Sequence, residues 1–282
     1  MFLLFDIGGS KTRLSISRDG NNFIPPEIYD TPSNFDAGIN LIASYLKKQD
    51  IGIQKVGGAI AGVFNKTKEM LIYSPNLPDW IGKNVKRALV NVVGTDNIIL
   101  ENDAALNGLG EAVYGAGKDY KIIAYITIST GVGGARIVNK KIDTAVFGFE
   151  PGHQLIKVCN SICSDDLNCS SGEELDYLES FISGASFKKR YGENPSEIKS
   201  EKIWDRIYHY LAIGLNNVMV FWSPEIIILG GGIVSSDDFS LERAAMHLEK
   251  IMKVYPELPV FKKSSLGDYA GLYGSLYYLN QV

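Results

Sequence analysis

Short apolar runs alternate with amphipathic stretches along the whole chain. Residues 2–7 are apolar up to Asp6 and a Gly pair, and Arg13–Ser17 alternates polar and apolar positions. This pattern predicts two strands joined by Gly8-Gly9-Ser10-Lys11. Phe35, Ile39, Leu41, Ile42, Tyr45 and Leu46 recur at helical spacing and predict a helix over 35–49. Val56–Ala61 reads as a strand closed by Gly62, Asn84–Val93 as a helix, Asn97–Leu100 as a buried strand and Ala104–Tyr114 as a helix. Lys121–Ser129 is β-prone, Thr130–Gly134 reads as a turn and Ala135–Val138 resumes the strand. Helices are predicted over Glu173–Phe181, Lys202–Trp222, Leu241–Val254 and Gly271–Leu279, and a buried strand over Glu225–Leu229. Strands alternating with helices imply an α/β fold. A strand, a Gly-rich turn and a second strand occur twice, near 2–17 and near 121–138, as a weak internal repeat.

Composition narrows the class. With 282 residues the chain has room for two lobes, since a domain takes roughly 100–200. The 28 basic and 32 acidic side chains give a net charge of −4 with no basic arm, so no nucleic-acid partner is expected. The N-terminal apolar run is short and ends in Asp6, and no membrane-spanning run occurs, which predicts a cytoplasmic enzyme without a membrane partner. The three cysteines, Cys159, Cys163 and Cys169, share one window. That odd number points to a metal site or a local accident, not to a disulfide framework.

The candidate chemistry lies at the Gly turns and at one acidic cluster. Asp6-Ile7-Gly8-Gly9-Ser10-Lys11-Thr12 joins two strands, unlike a P-loop, which runs from a strand into a helix. Glycines let backbone N–H groups approach phosphate oxygens, Ser10 and Thr12 add hydroxyls, Lys11 adds a cation and Asp6 suits a water-bound magnesium ion. An unliganded hairpin is the alternative. Thr130, Gly131 and Gly133 repeat the chemistry in the second half. Gly230, Gly231 and Gly232 follow a buried strand, where either an adenosine or a packed helix would call for close backbone approach. Glu101-Asn102-Asp103 ends a strand and opens a helix, where α/β folds place ligands. An Asp there can be an N-cap, or a base that takes a hydroxyl proton as that hydroxyl attacks a γ-phosphate.

In order and spacing these segments resemble the ROK family of the sugar kinase and actin superfamily, over nearly the whole chain. Asp6–Thr12 is similar to its first phosphate motif, Ser129–Gly134 to its second, Pro224–Gly232 to its adenosine segment and Leu266–Leu272 to its C-terminal segment. The resemblance implies a two-lobed actin-like ATPase (ribonuclease H-like) fold with a cleft between lobes. The smaller lobe would take 1–112 plus 268–282, and the larger one 113–267. It also implies ATP and magnesium as cofactors and Asp103 as catalytic base. Asn102 would bind a sugar hydroxyl, as would Asn76 in Asn76-Leu77-Pro78-Asp79-Trp80, and Gly62, in the strand and loop that precede that segment, would belong to the same substrate-binding set. Glu150 and His153 match a Glu-x-Gly-His sugar motif, and Glu179 a Leu-Glu-x4-Gly segment.

One segment departs from the family. Its zinc-binding Cys-x-Cys-Gly-x-x-Gly-Cys run is absent, and His153, Cys159, Cys163 and Cys169 stand at wider spacing. One His and three Cys complete a tetrahedral zinc set, and three free thiols are the alternative. The expected activity is ATP-dependent phosphorylation of a hexose or N-acetylhexosamine, at the 6-hydroxyl by resemblance, by a homodimer. A sugar-responsive regulator and a superfamily ATPase with another partner are the alternatives. The family's repressors carry an N-terminal helix-turn-helix, for which a first phosphate motif at Asp6 leaves no room.

Overall fold

The computed structural model describes residues 1–157 and 176–281. The chain opens with β1 (Phe2–Ile7), β2 (Lys11–Ser17), β3 (Glu27–Asp30), α1 (Phe35–Gln49), β4 (Lys55–Ile60), β5 (Val63–Phe64) and β6 (Leu71–Tyr73). Next come α2 (Val85–Val93), β7 (Ile98–Asn102) and α3 (Asp103–Val113). The second half carries β8 (Ile122–Ile128), β9 (Val132–Val138), β10 (Lys141–Ile142), β11 (Leu155–Lys157), β12 (Asp176–Tyr177), α4 (Glu179–Ile182), α5 (Gly184–Tyr191) and α6 (Glu201–Trp222). It ends with β13 (Ile226–Gly230), α7 (Leu241–Ile251), β14 (Val260–Lys263) and α8 (Ala270–Leu279). Two compact units result. The first takes Met1–Asp119, Ile137–Gly148 and Ser265–Val282, and the second Tyr120–Arg136 and Phe149–Ser264.

The first unit is built on the sheet β3-β2-β1-β4-β7. β1 runs antiparallel to β2 and parallel to β4, and β4 runs parallel to β7. In that register Asp6 pairs with Ala59 and Ile60 with Asn102, so the C-terminal ends of three strands form one rim. Leu3, Phe5, Ile7, Val56, Ile60 and Leu100 bury one face under α1 and α2. Asn34 and Asn84 cap those helices, each accepting the backbone N–H three residues on. Trp80 is fully buried and lies edge-on to Phe35. α8 crosses α3 so closely that a Cβ at Gly274 would lie 1.9 Å from the Leu106 carbonyl. That packing fixes the helix which Asp103 begins.

The second sheet, ordered β10-β9-β8-β13-β14, supplies β8, β13 and β14 to the second unit. β13 is buried along its whole length and runs parallel to β8 and β14. α6 packs Leu211, Leu215 and Val218 into the core with Ile227, Leu229 and Leu248. No described helix is long and apolar enough to cross a membrane.

Two expectations need correction. Asp176–Tyr177 is not helical: it pairs with β11, and the Leu178 N–H donates to the Gln154 carbonyl. Tertiary pairing overrides the helical spacing there, and the helix holds only Glu179–Ile182. The rest of that expected helix, residues 173–175, lies outside the described residues. The second Gly turn is also shorter than expected, because β9 resumes at Val132 and Ser129 N–H donates to the Gly131 carbonyl.

Candidate active site

In the first unit the rim of parallel strands gathers the acidic groups. Asp6, at the end of β1, is only 7% exposed. Its burial and then the neighbouring Asp103 push its carboxyl up to about 7, with Asp268 adding to the rise and Arg13 opposing it. Arg13 stands opposite Asp6 in the β1–β2 register and donates to Asp268 at 2.6 Å. Asp103 and Asp268 thus add to the negative field at Asp6, but among the described residues they form no ready set of metal ligands, and what suits a magnesium ion is Asp6 itself, holding it through water.

Asn102 ends β7 and caps α3. Its Oδ1 accepts the Ala105 N–H at 3.1 Å and its Nδ2 donates to the Gly62 carbonyl at 3.0 Å. Gly62 has φ +138, and a Cβ there would sit 2.6 Å from the Tyr73 carbonyl, so only glycine fits. Ser74 Oγ fastens the same loop by donating to the Ala61 carbonyl. Asp103 follows at the first helical position, one oxygen accepting the Ala104 N–H at 2.9 Å. Asn76 is exposed and lies against Gly9, where a Cβ would meet its side chain at 2.7 Å. The structure thus brings Asn76 to the first Gly turn, and Gly62 to Asn102.

Two members of the first turn are engaged elsewhere. Thr12 is buried, its hydroxyl sharing a 3.0 Å hydrogen bond with Thr31, which donates to the Gly8 carbonyl. Its part is to brace the turn. Lys11 pairs with Asp30 at 2.6 Å on the exposed surface, where water screens the attraction.

In the second unit, Glu179 at the start of α4 accepts the Val132 N–H at 2.7 Å, and a Cβ on Gly131 would strike the same oxygen. Glu179 therefore holds the turn that Thr130, Gly131 and Gly133 form. The turn's carbonyls are held too: Gly184 N–H donates to Ser129 and Ala185 N–H to Thr130. Glu150 Oε2 lies 3.7 Å from His153 Nδ1. Glu150 raises the imidazole above its ordinary value, against burial and with help from Glu179.

A cavity of about 840 Å³ opens beside this turn. Ser129 and Thr130 line it with Gly184, Ala185, Lys188 and Lys189 of α5, and with Gly232 and Ile233. Residues 184, 185, 188 and 189 occupy one helical face, small in the first turn and cationic in the second. Among the described residues the charged groups that line it are Lys188 and Lys189, which suit a polyanion such as ATP. Of the three glycines at the end of β13, Gly230, its last residue, packs on Tyr125, Gly231 has φ +89 against the Ile128 backbone, and Gly232 faces the cavity. Sequence patterning did not point to Lys188 and Lys189, because α5 itself was not anticipated. Ser183, which caps it by accepting the Ser186 N–H, was the available signal.

Of the expected zinc set, His153 alone is described, and Cys159, Cys163 and Cys169 lie outside the described residues. Among the described residues no group of three or more His, Cys, Asp or Glu side chains is arranged to hold a metal ion.

The chain has the actin-like ATPase fold of the ROK kinases that it resembles in structure. The chain belongs to the ROK family, whose model matches residues 3–282. It is 27% identical to an N-acetyl-D-glucosamine kinase of Mannheimia succiniciproducens, across 96% of this chain and 96% of that one. A structure described as a putative N-acetylmannosamine kinase from Listeria monocytogenes superposes with a TM-score of 0.82 at 21% identity, covering 99% of this chain and 98% of that one. A ROK glucokinase of Streptomyces griseus, solved with glucose and AMPPNP, gives 0.77 at 21% identity over 100% of this chain and 99% of that one.

Proposed function

We propose that the protein transfers the γ-phosphoryl group of ATP to the 6-hydroxyl of a hexose or N-acetylhexosamine, with Asp103 as general base. One observation carries this reading: a carboxylate at the first position of α3 stands on the same strand rim as the buried, magnesium-suited Asp6. The kinase names of full-length relatives support it.

Asp103 accepts the hydroxyl proton as the sugar oxygen bonds to the γ-phosphorus and the bond to the β-phosphate oxygen breaks, leaving ADP. Magnesium, held through water by Asp6, would neutralise phosphate charge. Ser10 and the Gly8–Gly9 backbone would serve the phosphates, and Thr130, Gly131, Gly133, Lys188 and Lys189 the nucleotide. Asn76, Asn102, Glu150, His153 and Glu179 would address sugar hydroxyls. A polyol suits such a set, because each hydroxyl takes one donor and one acceptor.

Coupled ADP release across a panel of hexoses and N-acetylhexosamines tests the proposal. Stimulation by at least one of these sugars is expected, with the product phosphorylated at the 6-position. ADP release indifferent to every sugar would contradict it.

A further inference from the structure

We propose that Lys68 is a positioning residue for the strand end that presents Asn102 and Asp103, and that it acts through Glu101. The inference rests on the assignment of Asp103 as base.

Lys68 lies in the turn between β5 and β6 with φ +57, a left-handed backbone that favours glycine. The turn is held in that shape from both sides. Asn65 Oδ1 accepts the N–H groups of Glu69 and Met70, and its carbonyl accepts that of Lys68. The Glu69 carbonyl in turn accepts the N–H of Lys86 on α2. So fixed, Lys68 delivers its ammonium to Glu101 Oε1 at 2.6 Å. The Glu101 side chain is only 8% exposed, and the same oxygen accepts the Asn102 N–H at 2.8 Å. Asn102 then caps α3 and holds the Gly62 carbonyl.

A relay results, running from Lys68 through Glu101 to Asn102, with Asp103 as the next residue. A buried carboxylate deprived of its cation turns to solvent or takes a proton. Either outcome weakens its grip on the Asn102 N–H. Small displacements of a base cost rate, because transfer depends on near-attack geometry. A lysine with no such role would give way to glycine without loss, since glycine suits the backbone better.

The test compares Lys68→Gly, Lys68→Met, Lys68→Arg and Glu101→Gln in the full chain. Lys68→Gly is expected to melt no lower than Lys68→Met. Both should nevertheless lower kcat for sugar-dependent ADP release by about tenfold or more, with KM for ATP unchanged. Lys68→Arg should restore most of the rate. Amide hydrogen exchange at Asn102 and Ala105 should quicken in Lys68→Met. In the Glu101→Gln background, Lys68→Met should add nothing, as expected for residues in one chain of contacts.

Unchanged exchange at these amides overturns the relay, as does wild-type kcat in both Lys68 variants or effects that simply add to Glu101→Gln. Exchange reads the relay whatever the reaction is. A wild-type protein without sugar-dependent ADP release would remove the kinase reading and still leave exchange to decide this one.

Discussion

The two Gly turns share a sequence pattern and are held in opposite ways. The first, at Gly8-Gly9-Ser10-Lys11, is braced by hydroxyls, Thr31 on the Gly8 carbonyl and Thr12 on Thr31, and follows directly on Asp6. The second, at Ser129–Gly131, is braced by a carboxylate, Glu179 on the Val132 N–H, and by the N-terminus of α5 on its carbonyls. Charge separates them further. Asp6, Asp103 and Asp268 make the first surroundings acidic, and Lys188 and Lys189 make the second cationic. A glycine turn therefore supplies only backbone access. The neighbouring side chains set the charge of the surroundings that each turn borders.

The largest expected effect comes from neutralising the acidic side. Asp6→Asn should lower kcat about 10³-fold with magnesium present, the several kcal/mol that a bound metal supplies to the transition state. Without metal the same change should stabilise the protein. The Asp6 carboxyl rises from 3.8 unfolded to about 7 folded, so between those values the folded state binds the extra proton. Stability then falls as pH rises from about 4 to about 7 and is lowest above 7. In chelator at pH 8 the variant should melt higher than wild type, by up to about 4 kcal/mol of stability, and the gain should vanish near pH 4. Calorimetry across pH measures it.

Glu179→Ala attacks the brace of the second turn. It leaves the Val132 N–H without its carboxylate, at a cost of about 1–3 kcal/mol, and removes what the proposal takes to be a sugar ligand. Thermal melting should register the first loss, and kcat/KM for the sugar should fall by about 100-fold. The smallest effect is expected from the cations. Lys188→Gln with Lys189→Gln should raise KM for ATP about tenfold, leave adenosine binding unchanged and matter less at high salt. Equal losses for ATP and adenosine would put the two lysines on the base and not on the phosphates.

Much of the acidic rim could be read along the chain. An apolar run that stops at a carboxylate, as at Asp6 and at Glu101-Asn102-Asp103, marks a strand end where ligands bind. Parallel pairing then brings those ends together. The braces were not legible. Glu179 reaches Val132 across 47 residues, and Lys68 reaches Glu101 across 33. Contacts of this kind, between one side chain and a distant group, leave no periodic trace. Asp176–Tyr177 misled for the related reason that two residues can join a strand pair inside a helical pattern. Thr12 matched a phosphate motif, yet its hydroxyl is buried and bonds to Thr31, a partner 19 residues away that the pattern along the chain does not mark.

Turnover and sugar affinity measured together on Asp103→Asn test the central assignment most directly. Asn keeps the shape and the hydrogen bond to the Ala104 N–H but cannot take a proton. Sugar-dependent ADP release should fall about 10³-fold while calorimetry finds sugar binding little changed. Turnover close to wild type would show that the base lies elsewhere.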